Sequence, residues 1–103
     1  LSEGNKQYLS FIRTLVTRPN LLILDEPSSN LDMKFTKRIE KYLIKQKSKL
    51  KVIMVTHDLF QAKRLADEIL FMNEGKIIEI SKKPNFLKSR NKLVRKFLKG
   101  SLF

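Results

Sequence analysis

Apolar residues recur three and four apart at Tyr8, Phe11, Ile12, Leu15 and Val16. That spacing lines one helical face and predicts an amphipathic helix from Asn5 to about Thr17, with Ser2 placed to cap it. Arg18-Pro19-Asn20 breaks the pattern, and the wholly apolar run Leu21 to Leu24, closed by Asp25, reads as a buried parallel strand. The polar run Glu26 to Asn30 is the loop that follows. Phe35, Ile39, Tyr42 and Leu43 then mark a second amphipathic helix from about Met33 to Lys47, and Val52 to Thr56 a second β-rich run. A third helix is expected from Leu59 to about Ala66. Glu68 to Met72 and Lys76 to Ile80 flank Asn73-Glu74-Gly75, a hairpin turn. From Ser81 onward the chain should end in a basic helix carrying Phe86, Leu87, Leu93, Val94, Phe97 and Leu98. Strands alternating with helices predict an α/β fold, a mainly parallel sheet with flanking helices, whose ligands gather at the carboxyl ends of the strands.

Length bounds this picture. The 103 residues make one domain at most, and a body of that size buries only about 60 to 70% of its unfolded surface. No cysteine is present, so disulfides and thiolate metal sites are excluded and a cytosolic setting is the default. The apolar runs fall far short of the ~20 residues of a membrane span. The chain opens without methionine, a charged n-region or an apolar h-region, so no signal peptide is expected and the sequence reads as part of a longer protein.

The net charge of +12 is uneven. Lys34 to Lys51 carries eight basic residues against Glu40 alone, and Lys82 to Phe103 carries eight against none. Such patches can attract nucleic acid or an anionic membrane. In the first patch, however, the lysines alternate with apolar residues at helical spacing, as on a solvated face, and no aromatic platform for bases is interleaved. Nucleic acid is therefore not expected as a partner.

Three places carry candidate chemistry. Asp25 and Glu26, delivered to the end of the first strand, suit a magnesium ion and an activated water, and suit equally a solvated strand end or a helix cap. His57, the one histidine, ends the second strand within Val55-Thr56-His57-Asp58. It fits a structural or solvated role as well as a donor to developing negative charge. Ser2 and Gly4 open the first helix, where unsatisfied N–H groups favour an anion, while a plain capping turn with Ser2 bonded near Asn5 explains the same residues.

Taken in order, these strings resemble a known family. Leu21-Leu22-Ile23-Leu24-Asp25-Glu26-Pro27-Ser28-Ser29-Asn30-Leu31-Asp32 is similar to a Walker B strand running into the D-loop of ATP-binding-cassette (ABC) ATPases. His57 stands at the spacing of that family's switch histidine. Leu1-Ser2-Glu3-Gly4-Asn5-Lys6-Gln7 resembles its signature, with Glu3 in place of a glycine and Asn5 in place of glutamine. The resemblance implies the carboxy-terminal part of a P-loop (RecA-like) core, spanning residues 1–103 as a partial ATPase domain. It implies that Asp25 orients Mg²⁺, that Glu26 is the general base on the attacking water and that His57 contacts the γ-phosphate. Ser2, Gly4 and Asn5 would meet the nucleotide held by a second subunit, which Asp32 would contact. Glu3, a carboxylate near phosphates, would weaken nucleotide binding unless turned away or paired, and is expected to point outward.

The family's phosphate cradle, G-x-x-x-x-G-K-[ST], does not occur in these residues, whose glycines are Gly4, Gly75 and Gly100. By itself the chain is therefore expected to bind MgATP weakly or not at all and to be inactive. By resemblance, the complete protein would be the ATP-binding subunit of a membrane transporter at the cytoplasmic face. Its partners would be a second ATPase subunit and integral membrane subunits. The tail Val94 to Phe103 looks similar to the ends of short prokaryotic importers of oxyanions such as phosphate or tungstate. A soluble cassette ATPase acting on nucleic acid or ribosomes, and a non-enzymatic remnant, remain as alternatives.

Overall fold

Helix α1 (Glu3–Val16) starts where expected, because the Oγ of Ser2 accepts the Asn5 N–H at 3.0 Å and satisfies an otherwise orphaned donor. It stops where Arg18 enters the left-handed region at φ 52° and Pro19 forbids continuation. The computed structural model describes residues 2–101; Leu1 of the signature and Leu102 and Phe103 of the tail lie outside them. The described residues fall into two compact units, one up to His57 and one from Asp58 onward.

In the first unit, strand β1 (Leu21–Asp25) pairs in parallel with β2 (Lys51–Val55), in register from Leu21 opposite Lys51 to Asp25 opposite Val55. Between them runs α2 (Met33–Lys45), capped by Asp32, whose carboxylate accepts the Phe35 N–H at 3.1 Å. The predicted apolar stripes meet as ring pairs: Tyr8 packs on Phe35 with centroids 4.7 Å apart, and Phe11 meets Tyr42 edge-on at 6.2 Å. Phe11, Leu22, Ile39, Leu43 and Leu50 are buried. The strands are not buried on both faces as their continuous apolar runs suggest. Leu22 is buried, while Leu21, Ile23, Ile53 and Val55 stand exposed, Ile23 by 67%.

In the second unit, α3 (Leu59–Leu65) is capped by Asp58, whose Oδ1 accepts the N–H groups of Phe60 and Gln61. The hairpin of β3 (Glu68–Asn73) and β4 (Lys76–Lys82) turns through Glu74 at φ 51° and Gly75 at φ 74°. Positive φ at both central residues is the signature of the type I′ turn, whose twist matches the flanking strands. Expectation fails at the carboxyl end, where a single basic helix from Ser81 is replaced by the end of β4 and two helices. These are α4 (Lys83–Leu87) and α5 (Lys92–Ser101). The break follows from polar side chains that compete for backbone donors. Asn91 Oδ1 accepts the N–H of Leu93 at 2.9 Å and of Val94 at 3.3 Å, and Ser89 Oγ accepts the Asn91 N–H at 3.1 Å while donating to Glu79 on β4. Leu59, Phe86 and Val94 form this unit's core, covered by Ile69, Phe71, Ile78, Phe97 and Leu98. Among the described residues the sheets are thus one parallel pair and one antiparallel pair, within the expected α/β class.

Candidate active site at the ends of the parallel strands

Asp25 lies at the carboxyl end of β1, exposed, and the ladder continues one step beyond it, because the Glu26 N–H donates to the Val55 carbonyl at 2.8 Å. That bond fixes Glu26 beside the end of β2. There its Oε1 accepts the backbone N–H of His57 at 2.7 Å and lies against His57 Nδ1. A carboxylate can only accept, so this contact assigns the proton to Nδ1. The Glu26 side chain is 28% exposed and that of His57 94% exposed. Both contacts fall on one carboxylate oxygen, so the other is not committed to His57.

Glu26 is also conformationally unusual, with φ at 46°. A non-glycine residue in that region costs of order 1 to 3 kcal/mol and is retained only where neighbours hold it. The holding groups are identifiable. Beside the ladder bond, the Glu26 carbonyl accepts the Ser29 N–H at 3.2 Å, and the next turn closes with Leu31 N–H on Ser28 at 3.2 Å. From α1, Gln7 Nε2 donates to the Glu26 carbonyl at 3.0 Å and to the Pro27 carbonyl at 2.5 Å.

The amino end of α1 is pressed on the same loop. A Cβ added to Gly4 would stand 2.6 Å from the Asn30 carbonyl oxygen, inside any tolerable contact, so only glycine fits this approach. Glu3 is 80% exposed at its side chain and pairs with Lys6 at 3.6 Å. The Ser2 hydroxyl accepts the capping bond and keeps its own O–H for another acceptor. Asn5 is exposed, and its backbone N–H makes that capping bond. Asp32 spends its carboxylate on the α2 cap.

The structure therefore brings together Glu26 and His57 directly, with Asp25 adjacent, and sets Gly4 against the loop that leads to Asp32. Gln7 and the Val55 carbonyl were not singled out by sequence. A polar residue on an otherwise regular helix face gives no periodic signal, and a backbone acceptor gives none at all. Among the described residues no group of three or more His, Asp or Glu side chains converges as a metal site. Asp25 offers one exposed carboxylate, compatible with a hard divalent ion that would take most of its ligands from phosphate oxygens and water.

Two parallel strand ends that carry an acid pair and a histidine sit within an α/β fold, and comparison with known proteins gives the family. The profile of the family described as "AAA domain, putative AbiEii toxin, Type IV TA system" matches residues 1–60. The chain is similar to the phosphate import ATP-binding protein PstB of Malacoplasma penetrans, at 40% identity over 99% of the chain and 36% of that protein. It is similar also to PstB of Aeropyrum pernix, at 41% identity over 99% of the chain and 42% of the relative. A bacterial Atm1-family ABC exporter solved with ATP bound superposes with a TM-score of 0.87 at 27% identity, covering all of this chain and 18% of the exporter chain. The chain belongs to the family that this profile describes, an AAA domain, and over nearly its whole length it is similar to ATP-binding-cassette proteins. It spans about two fifths of the length of the importer proteins it matches.

Proposed function

We propose that residues 1–103 are the carboxy-terminal part of the ATPase domain in the ATP-binding subunit of a membrane importer, where ATP hydrolysis drives transport. The observation that carries this reading is the Glu26 carboxylate held against His57 at the ends of two paired parallel strands. A general base needs a fixed carboxylate with one oxygen open toward water, and the contacts on Oε1 leave the second oxygen for that task. His57 orients that carboxylate through its N–H and Nδ1, which leaves Nε2 as the nitrogen to meet charge developing on a phosphate. Asp25 is the carboxylate placed to hold magnesium, which when bound neutralises phosphate charge. Ser2, through its O–H, with Gly4 and Asn5 at the amino end of α1, offers donors to the phosphate held by a second subunit. Asp32 follows at the dimer contact.

The partners of this reading are a second ATPase subunit and integral membrane subunits, with the protein peripheral at the cytoplasmic face. No helix among the described residues is long and apolar enough to cross a membrane. An oxyanion is the substrate class, phosphate being the one in the relatives' names. The deciding experiment is Glu26→Gln in the intact protein. Nucleotide binding should be retained while turnover falls by about 10² to 10⁴. Unchanged turnover would remove Glu26 as the base.

A further inference from the structure

We propose that Gln7 is a positioning residue that latches α1 to the loop after β1 and holds Glu26 in the backbone geometry its carboxylate needs; the proposal rests on the reading of Glu26 as the base. Both acceptors of Nε2 are carbonyl oxygens, of Glu26 at 3.0 Å and of Pro27 at 2.5 Å. This fixes the orientation of the amide, since the opposite flip would set Oε1 against two acceptors. The two N–H groups of Nε2 are thereby both used, and they are used on consecutive peptides.

The first of those peptides is the one that matters. Glu26 has φ at 46°, a conformation that persists only when its surroundings over-determine it. Its N–H is tied to Val55 on one side, and its carbonyl is tied to Ser29 and Gln7 on the other. The Ser29 bond is local to the turn and moves with it. The Gln7 bond instead ties that carbonyl to α1, nineteen positions earlier in sequence. If the peptide relaxes toward negative φ, the Glu26 side chain swings away from the His57 N–H that it accepts at 2.7 Å. With its amide nitrogen committed to the Glu26 and Pro27 carbonyls, Gln7 acts through Glu26. Because Gly4 of the same helix end lies against Asn30, a shift of α1 on docking with another subunit would be passed through Gln7 to the base.

The test uses the intact protein with Gln7→Leu, which removes both donors, and Gln7→Glu, which sets a carboxylate against the two carbonyls. Amide hydrogen exchange without nucleotide should speed up about tenfold or more at Glu26 and His57, more in the Glu variant, while Ile39 and Leu43 in the core of α2 keep wild-type protection. ATP turnover should fall at least about tenfold in kcat with KM within about twofold, as expected when an interaction of the transition state alone is lost. Unchanged exchange at Glu26 and His57, or faster exchange spread evenly through α2, would overturn the proposal and leave Gln7 a packing residue. Wild-type protein without ATP turnover would count against the ATPase reading alone, since the exchange measurement still decides the latch.

Discussion

At the scale of single residues, the contact between Gly4 and Asn30 makes the sharpest demand on side-chain identity. The obstacle to a Cβ is a backbone oxygen, in a loop whose turns are closed by Ser29 N–H on Glu26 and Leu31 N–H on Ser28, so it cannot step aside cheaply. Gly4→Ala should therefore destabilise the protein. Overpacking of this kind costs about 1 to 3 kcal/mol, against a gain of at most about 1 kcal/mol from better helix propensity. Urea denaturation should give a lower midpoint at unchanged slope, and an alanine variant as stable as wild type would contradict the close approach. Ser2 contrasts with Gly4, because its capping bond is exposed and one of several ways to satisfy a helix end. The sequence pattern makes Ser2 legible as a cap, since it precedes an apolar periodic segment, whereas the caps at Asp32 and Asp58 emerge from the structure. It hides Gln7, whose importance depends on what a helix turn meets nineteen residues later.

At the scale of elements, the helices and strands were legible because their periodicities are strong and their breakers chemically unambiguous. The stripe of α1 becomes the ring contacts with α2, and Arg18-Pro19 ends α1 as written. The final helix misled because Phe86, Leu87, Leu93 and Val94 keep a helical spacing across a break that Ser89 and Asn91 impose through their side-chain hydrogen bonds. Local capping outweighed hydrophobic continuity there. The hairpin carries a testable imperfection, because Glu74 occupies the first central position of the turn at φ 51° without an amide side chain suited to it. Glu74→Asn should stabilise the protein by up to about 1 kcal/mol, since asparagine tolerates the left-handed region better than glutamate. Calorimetry on the two proteins would show a higher Tm for the variant; an unchanged or lower Tm would mean that the turn is not limiting.

At the scale of the whole chain, the parallel pair presents one apolar face that its own residues leave open. Leu21, Ile23, Ile53 and Val55 alternate with the inward-facing Leu22, and Ile23 stands directly beside Ile53 in the register. Contiguous exposed aliphatic surface on paired strands favours association with other apolar surfaces. For the 103-residue chain on its own, Ile23→Thr with Ile53→Thr should raise the soluble fraction and shift sedimentation toward monomer. Threonine keeps the β-branched shape that strands accept, so the sheet itself is spared. Equal aggregation of the variant and the parent chain would show that this face is not responsible. The openness could not be read from the strands, whose uninterrupted apolar runs are those of strands covered on both sides.

The left-handed backbone of Glu26 has a consequence for anyone selecting variants by robustness. Glycine at position 26 would relieve the strained conformation while abolishing the carboxylate, so a thermostability screen blind to turnover would favour the substitution most damaging to the proposed chemistry. Heat resistance and catalytic competence pull this one position in opposite directions, and a library ranked by melting temperature alone would drift toward well-behaved proteins with an empty site.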